Sequence, residues 1–436
     1  MKNKSHQAAH QPVKPQSARS LAMASLLALE RDGRYSNLEV DARLRTAELA
    51  PADRALYTRL VYGVTERRIT LDWIIDRYSS RKAAELDPDV RCALRMGIYQ
   101  LLWMDRIPEH AAVDESVDLV PRAKSGYVNA VLRAFLRADK HIEWPDRDDG
   151  LSYYSVKYSI PEALAAIYRD ALDDPDELGD LLASLNREPH VGLRVNTLRL
   201  TAEEAAAQTE GKISEIAPDL VLLDSLTPEA RGGLDEGLWF VQDEASRIVS
   251  AAVGALPGER VIDTCACPGG KSFSMALDMG DKGELFSFDL HANKLSLVEK
   301  GAAKLGLTAI HVSARDARDP DPALIESADR VLCDAPCSGL GVIAKKPDIR
   351  YKDPAAFERL PEIQREILDG ASRYVKPGGV LVYSTCTLNR AENEETVMDF
   401  LAAHPAFEAV ETRIFWPHRD GCDGFFMAKM RRRAES

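Results

Sequence analysis

Two cysteines follow short runs of residues that favour β-strands, and their positions would allow covalent chemistry. Cys337 lies in RVLCDAPCSG, residues 330–339, and Cys386 lies in VLVYSTCTL, residues 380–388. A thiolate is a good nucleophile toward carbon, while a second thiol and a carboxyl group can move the protons of such a reaction. Asp334 stands between the first strand and Cys337, so we expect these three side chains to converge at one edge of a sheet.

A third segment, VIDTCACPGGKS at residues 261–272, has the pattern of a strand, a glycine turn and the start of a helix. Such a turn can bind a nucleotide-like ligand. A P-loop requires a glycine where Cys265 stands, although Gly270, Lys271 and Ser272 would fit it, and a dinucleotide site requires a G-x-G-x-x-G motif that is absent. S-adenosylmethionine is the favoured ligand. The residues predicted to bind it are Cys265, Ala266, Cys267, Pro268, Gly269, Gly270 and Lys271.

Two further acids have the spacing that an adenosine ligand requires. An acid at the end of the next strand can bind the ribose hydroxyls, and Asp289 occurs there, 19 residues beyond Gly270. A polar residue after the third strand can lie near the adenine amine, and Asp316 has that position. Three matches in chain order favour S-adenosylmethionine over a coincidence of residues in turns.

A methyl donor beside two thiols points to methylation of cytosine at carbon 5. A thiolate that adds to carbon 6 breaks the aromaticity of the ring and makes carbon 5 nucleophilic toward a sulfonium methyl group. Asp334 can relieve the charge at N3, and a base must then remove the proton from carbon 5. The thiols of Cys92, Cys333 and Cys265 are predicted to be buried apolar groups. The cysteine spacing predicts no metal site, because no second C-x2-4-C pair is present.

The elements that must position these residues follow from the hydrophobic pattern. Strands and helices alternate over residues 238–436, which predicts an α/β fold with a doubly wound, Rossmann-like sheet, closed by an antiparallel hairpin. Residues 151–237 predict a small α+β unit, and residues 18–140 predict an all-α domain of five to seven helices. A linker at residues 141–150 separates these two, and residues 1–17 are predicted to be a disordered basic tail.

Composition limits the function classes. Seven cysteines without a secretory signal predict reduced thiols and a cytoplasmic protein, and no run is long enough to span a membrane. The net charge of −13 is unevenly spread. Residues 1–140 hold 23 Lys and Arg against 18 Asp and Glu, whereas the remainder holds 33 against 51. A nucleic-acid partner responds to such local surpluses of basic residues, so RNA binding stays open.

The segments DTCACPGGKS, DAPCSG and STCT resemble the motif set of the RNA cytosine-C5 methyltransferases, the Sun/Nop2 family, and LRVNT, FVQDEAS and DGFFMAKM agree. The resemblance implies that Cys386 is the nucleophile and that Cys337 assists breakdown of the adduct. It also implies that Asp334 lies between the methionine end of the cofactor and the cytosine, and that Lys271 helps to order the site. DNA cytosine methyltransferases use the Pro-Cys cysteine as nucleophile instead. Cys267 departs from the family, in which many members have alanine.

The helical domain, with LVYGVTERRITLDWIIDRY and LRMGIYQLLWMDRIPEHAAVDESVDL, resembles the RNA-binding antitermination factor NusB. Fused to this catalytic domain, it implies one cytosine of 16S small-subunit ribosomal RNA as the substrate, unstacked from its neighbours. Arg194 and Asn196 are expected to contact the RNA together with the helical domain. We expect a monomer with no membrane partner. The alternatives are the same chemistry on tRNA, a non-catalytic RNA-binding protein of ribosome assembly, and a P-loop ATPase.

Overall fold

The computed structural model describes residues 17–33 and 35–434, which divide into two compact units. The first unit ends at Ser159 and also takes in Lys346–Asp348, and the other described residues form the second unit. The predicted disordered tail lies outside the described residues, except for its last residue, which caps the first helix. None of the helices in the described ranges is long and apolar enough to cross a membrane.

The first unit consists of α-helices joined by short connections. They are α1 Ala18–Asp32, α2 Ser36–Thr46, α3 Pro51–Glu66, α4 Arg68–Tyr78, α5 Pro88–Trp103, α6 Glu109–Val117, α7 Arg122–Arg137 and α8 Leu151–Tyr158. Prolines at the first positions of α3 and α5 suit helix starts, where an N–H has no partner in any case. Seven of these helices form the predicted all-α domain. The last, α8, packs with them, whereas the sequence pattern assigned it to the α+β unit.

Close packing of these helices depends on small residues at two contacts. A Cβ added at Gly63 of α3 would lie 2.0 Å from the ring of Tyr99, and one at Gly97 of α5 would lie 2.8 Å from the side chain of Leu132. On α4, the buried residues Leu71, Ile74 and Ile75 follow helical spacing. The core of the first unit is therefore an interlocked helical one, as the periodicity predicted.

The second unit begins with a small α+β part. Its elements are α9 Glu162–Ala171, α10 Leu178–Ser184, β1 Val191–Val195, α11 Ala202–Thr209, β2 Lys212–Ile213, β3 Leu220–Leu223, α12 Pro228–Glu236 and β4 Trp239–Val241. The four strands form an antiparallel sheet in the order β2-β3-β1-β4. Its core contains Leu193, Val195, Val221 and Trp239.

The remaining elements build a seven-stranded sheet with helices. They are α13 Glu244–Val253, β5 Arg260–Asp263, α14 Gly270–Asp278, β6 Glu284–Asp289, α15 Ala292–Leu305, β7 Ile310–Ala314, β8 Ala328–Asp334, α16 Leu360–Ser372, β9 Val375–Thr385, α17 Glu394–Ala403, β10 Phe407–Phe415, α18 Pro417–Asp420 and β11 Phe425–Arg432. All five strands predicted for the doubly wound sheet are present, and the fold prediction is confirmed.

The order of the strands determines where a ligand can lie. The sheet runs β10-β11-β9-β8-β5-β6-β7. The five strands from β9 to β7 are parallel, while β11 pairs antiparallel with both β9 and β10, so the predicted terminal hairpin is also confirmed. The chain leaves β5 toward β6 on one side and returns to β8 on the other. In sheets of this kind, ligands bind beyond the carboxyl ends of the strands at such a switch point.

Candidate active site

The loop between β5 and α14 makes a tight turn that requires glycine. Gly269 has a φ of 117°, and a Cβ there would lie 2.4 Å from the ring of Phe273. The loop is anchored by Asp263, whose buried carboxyl group accepts a hydrogen bond of 2.6 Å from Ser272 Oγ. Burial raises the pKa of Asp263 to about 7. This turn brings the start of α14, and Lys271 with it, to the carboxyl edge of the sheet.

Asp289 lies against this turn, at the end of β6. Its Oδ2 accepts a hydrogen bond of 3.2 Å from the main-chain N–H of Cys267, and its Oδ1 accepts one of 2.9 Å from the N–H of His291. The spacing argument therefore located two segments that meet in the structure. The remaining lone pairs of the Asp289 carboxylate can accept hydrogen bonds from a ligand.

Asp316 occupies the corresponding position on the next strand. It lies two residues beyond Ala314, which pairs with Asp289 in the β6–β7 register. Its carboxylate forms an ion pair with Arg318, with 2.6 Å between Nη2 and Oδ2. The hydrogen bonds from Arg318 lower the pKa of Asp316, so its carboxylate is ionised at neutral pH.

Lys271 and Asp334 form an ion pair between α14 and the end of β8. Lys271 Nζ lies 2.6 Å from Asp334 Oδ2, and Ser384 Oγ donates a hydrogen bond of 2.7 Å to Oδ1. The ammonium group also lies 5.1 Å from the centre of the Phe425 ring. Burial alone would lower the pKa of Lys271, but the Asp334 carboxylate outweighs it and raises that pKa above the ordinary value. The largely buried lysine therefore stays charged.

The two cysteines meet beside this ion pair. The sulfur of Cys337, in the loop after β8, lies 3.3 Å from the sulfur of Cys386, which follows β9. The two loops are tied to each other by a hydrogen bond of 3.0 Å from Gly341 N–H to the Cys386 carbonyl. Both cysteine residues are partly exposed. The predicted convergence of Asp334, Cys337 and Cys386 at one edge of the sheet is what the structure shows.

The charges around the two thiols differ. The pKa of Cys337 is raised well above its usual value, first by the hydrogen bond with Cys386, then by burial and by the carboxylates of Glu392 and Asp334. The ammonium of Lys271 interacts favourably with Cys386, which contributes to the raised pKa of the lysine. The Lys271 ammonium therefore favours a negative charge on Cys386, whereas the surroundings of Cys337 favour its protonated form.

Three polar residues of the site escaped the sequence analysis. Ser384 orients Asp334, and Glu392 accepts a hydrogen bond from the N–H of Ser338, the residue after Cys337. Gln242 bridges to α14 through a hydrogen bond from its amide to the Gly270 carbonyl. Ser384 and Gln242 lie inside motifs that were recognised for other residues, whereas Glu392 lies outside the quoted motifs. Of the three, only Ser384 could have been identified from the sequence, since it lies two residues before Cys386 on the same face of a strand.

The structure corrects the predicted RNA contacts of Arg194 and Asn196. Arg194 is only 1% exposed and forms ion pairs with Asp219 and Asp278. Asn196 is fully buried and donates to the carbonyls of Gly237 and Leu305. These side chains hold the small sheet against its neighbouring helices, so neither is presented to a ligand.

The other cysteines are placed away from this pair of thiols or are inert. Cys333 and Cys92 are buried, and burial raises the pKa of each, that of Cys92 to about 12. Burial and the neighbouring Asp289 carboxylate raise the pKa of Cys267 to about 12. Within the described ranges, no three His, Cys, Asp or Glu side chains are grouped as metal ligands would be.

Comparison with protein families gives two matches. The family described as 16S rRNA methyltransferase RsmB/F matches residues 252–431, and the NusB family matches residues 16–137. A probable ribosomal RNA small subunit methyltransferase B of Bacillus subtilis (strain 168) is 35% identical over 450 residues, which covers 97% of this chain and 100% of the relative. Ribosomal RNA small subunit methyltransferase B of Klebsiella pneumoniae (strain 342) is 31% identical over 88% of this chain and 92% of its own.

Solved structures agree with these matches. The structure called PH0851 has a TM-score of 0.76 and 28% sequence identity, and the superposition covers 96% of this chain and 99% of that one. NSun6 from Pyrococcus horikoshii with SFG has a TM-score of 0.55 at 21% identity and covers 63% of this chain and 99% of its own. The second likeness concerns the fold alone.

Proposed function

This chain belongs to the RsmB/F family of 16S rRNA methyltransferases, and we propose that it transfers a methyl group from S-adenosylmethionine to carbon 5 of a cytosine in small-subunit ribosomal RNA, in the cytoplasm. Cys386 forms a covalent bond to carbon 6 of the base during the reaction. The observation that carries the proposal is the distance of 3.3 Å between the sulfurs of Cys337 and Cys386 beside the Lys271–Asp334 ion pair.

The residues around the glycine turn fit S-adenosylmethionine by their chemistry. Asp289 is an acceptor for the two ribose hydroxyls, because each of its oxygens accepts only one hydrogen bond from the main chain. Asp316, at the end of the next strand, is an acceptor for the adenine amine. The turn between Cys265 and Gly270 contacts Asp289 through the N–H of Cys267. When bound, S-adenosylmethionine supplies an electrophilic methyl group on a sulfonium centre.

The assignment of Cys386 as the nucleophile is supported by the charges that surround it. Lys271 favours the thiolate of Cys386, while the hydrogen bond with Cys386, burial and the nearby carboxylates raise the pKa of Cys337. The Cys386 thiolate adds to carbon 6, and the electrons of the carbon 5–carbon 6 bond become available at carbon 5. The charge that develops at N3 is relieved by a proton from the carboxyl group of Asp334, and Lys271, whose Nζ lies 2.6 Å from Oδ2, holds that group in place.

Release of the product reverses the addition. A base removes the proton on carbon 5, the double bond to carbon 6 returns, and the bond to Cys386 breaks with its electron pair left on sulfur. Cys337 assists this step, because its S–H can donate a hydrogen bond to the departing thiolate across 3.3 Å. Loss of Cys337 should therefore leave addition intact and slow the release.

The test of this function uses labelled S-adenosylmethionine, unmodified small-subunit ribosomal RNA and denaturing gels. We expect the wild type to label the RNA, Cys386→Ala to label nothing and form no adduct, and Cys337→Ala to accumulate a band of protein joined to RNA. A retarded band with Cys386→Ala alone would mean that the two thiols exchange roles, as in the DNA enzymes. Cys92→Ala, at a buried cysteine of the first unit, is the control for loss of a thiol as such.

The same assay distinguishes the other candidate functions. Labelling of tRNA in place of ribosomal RNA would keep the chemistry and change the substrate. Absence of label on every RNA, with RNA binding retained, would indicate a non-catalytic assembly protein. A rise in melting temperature with ATP but not with S-adenosylmethionine would indicate a nucleotide-binding protein instead.

A further inference from the structure

Glu392 is a buried carboxylate close to both thiols that the proposed chemistry leaves without a task. It follows Cys386 by six residues, in the short segment before α17, and its side chain is fully buried. Its Oε2 accepts hydrogen bonds of 2.9 Å from the N–H of Ser338 and from the side-chain amide of Gln364. Its Oε1 accepts one of 3.0 Å from Asn389.

This environment is unusual for an ionised group. Each of these donors is neutral, and no Lys, Arg or His in the described part of the chain forms an ion pair with Glu392. A buried charge without a counter-ion is costly, and it persists only where several well-directed donors compensate it. Three donors from three different segments converge on this one carboxylate. An apolar side chain here would leave these donors without an acceptor, so the three segments depend on the carboxylate for their contact.

The donors connect the loops that carry the two sulfurs. Ser338 directly follows Cys337, and Asn389 lies three residues beyond Cys386. Gln364 of α16 donates from the same nitrogen to the carbonyl of Pro336, which directly precedes Cys337. The loop after β8 is thus held on both sides of Cys337 by contacts that lead to Glu392.

We propose that Glu392 is a positioning residue of the methyl transfer, whose carboxylate fixes the main chain on either side of Cys337 to the loop after Cys386 and so sets the separation of the two sulfurs. The proposal rests on the proposed function for its effect on turnover, but not for its effect on the thiols. Ser338 and Thr387, whose hydroxyl oxygens lie 2.7 Å apart, form a second tie between the same loops.

The charge of Glu392 has a separate effect on Cys337. The groups that face this thiol are Cys386, Glu392 and Asp334, and each of them raises its pKa. Removal of the Glu392 charge should therefore lower the pKa of Cys337 and increase its thiolate fraction at a given pH. This effect can be measured by alkylation without any RNA, since only the thiolate reacts.

The test compares Glu392→Gln with the wild type in the full chain. Glutamine keeps the size of the side chain, but its NH2 group must face a donor, so one tie between the loops is lost. We expect kcat to fall about 100-fold, as for a small misplacement of reacting groups, with the KM for S-adenosylmethionine within about twofold of the wild type. We also expect iodoacetamide to alkylate Cys337 faster at pH 9, about tenfold for each pKa unit lost, as followed by mass spectrometry of the peptide.

The matched control is Glu395→Gln, which removes a carboxylate three residues away on the exposed side of α17 and should change neither rate. A Glu392→Gln variant with wild-type kcat and wild-type alkylation would overturn the proposal. So would a loss of kcat that is accompanied by a lower melting temperature and unchanged alkylation, because that result describes a structural residue only. If the wild type methylates no RNA, the proposed function fails, and the alkylation rates still decide the effect on Cys337.

A second variant covers the case that Glu392→Gln does not fold. Asn389→Ala removes the donor to Oε1 and leaves both bonds to Oε2. We expect a smaller fall in kcat, about tenfold, and an RNA–protein band like that of Cys337→Ala but weaker. Wild-type turnover and no such band in Asn389→Ala would contradict the proposal.

Discussion

Two buried clusters of charged residues in the second unit have similar chemistry and opposite uses. One consists of Lys271 and Asp334 at the carboxyl edge of the large sheet, beside the thiols. The other joins Arg194 and Arg247 to the carboxylates of Asp219 and Asp278 behind the small sheet. In both clusters, cations and carboxylates lie within hydrogen-bonding distance of each other, so pairing and burial alone do not identify a functional site.

The clusters differ in what surrounds their charged groups and in which hydrogen-bonding atoms remain for a ligand. Arg247 donates to both carboxylates of its cluster, and Arg194 is only 1% exposed. Burial, followed by repulsion from Arg247, lowers the pKa of Arg194 to about 10. The carboxylates of the two clusters are similarly exposed, at 23% for Asp219, 22% for Asp278 and 27% for Asp334, but Asp334 adjoins two partly exposed cysteines at the end of the parallel sheet. A charge that is engaged on every side stabilises the fold, whereas one that faces the end of a parallel sheet is available for chemistry.

The largest effect that separates the clusters is expected from Arg247→Ala. The change leaves the partly buried carboxylates of Asp219 and Asp278 with Arg194 as their remaining partner, which should lower the free energy of unfolding by about 2–3 kcal/mol. Urea unfolding measures this, and kcat per folded molecule should stay unchanged. Arg260→Ala, at an exposed ion pair with Glu284, is the control and should cost less than about 1 kcal/mol. A large loss of kcat with normal stability would remove the distinction between the clusters.

Asp334→Asn should show the reverse behaviour. The variant keeps the shape of the side chain but loses the charge that holds Lys271 and the proton path to the base, so kcat should fall about 100- to 1,000-fold. The free energy of unfolding should fall by about 1–2 kcal/mol, less than for Arg247→Ala, because Lys271 loses a single charged partner and keeps its contact with the Phe425 ring. Methyl transfer and urea unfolding are measured on the same preparation. Asp399→Asn, at an exposed pair with Arg365, controls for a change of net charge.

The smallest effect is expected from Asp289→Asn, which tests the predicted cofactor-binding part of the site separately from the Lys271–Asp334 ion pair. The amide keeps one acceptor but presents NH2 to a hydroxyl or to the main-chain donors, so the KM for S-adenosylmethionine should rise about 10-fold while kcat changes little. Isothermal titration with S-adenosylmethionine gives the same ratio as a change in Kd. An unaltered Kd would separate Asp289 from the cofactor, and Asp235→Asn, on the exposed pair with Lys304, should be silent.

Much of the fold and of the site could be predicted because the signals are local. Alternating strands and helices identified the large sheet, and the short motifs around Cys337 and Cys386 placed both thiols at strand ends. The distance between Gly270 and Asp289 along the chain predicted that the turn and the acid would meet, since consecutive parallel strands are neighbours here. These features depend on residues close in sequence or on a rule of topology.

The failures depend on contacts between distant segments. Arg194 lies in β1, and its partners come from distant segments, Asp278 from α14 and Asp219 from the residue before β3. The acidic residues around Glu392 have the pattern of a solvent-exposed helix start. Glu392 itself is buried because α16 packs over it. The sequence pattern assigned α8 to the wrong unit for the same reason. The buried face of α8 is set by helices about 80 residues earlier in the chain, as the hydrogen bond from Thr70 to the Val156 carbonyl illustrates.

The hairpin of β10 and β11 affects the order in which the site is assembled. β11 covers the edge of β9, with Phe426 opposite Thr385, and the neighbouring Phe425 lies under the Lys271 ammonium. In chain order, β11 follows every other strand of this sheet. A nascent chain on the ribosome therefore contains both thiols while β9 is still an unpaired edge. Once β11 is synthesised, it pairs with the open edge of β9 and places Phe425 beside Lys271. The site is therefore completed at the same time as the edge is protected from misassembly.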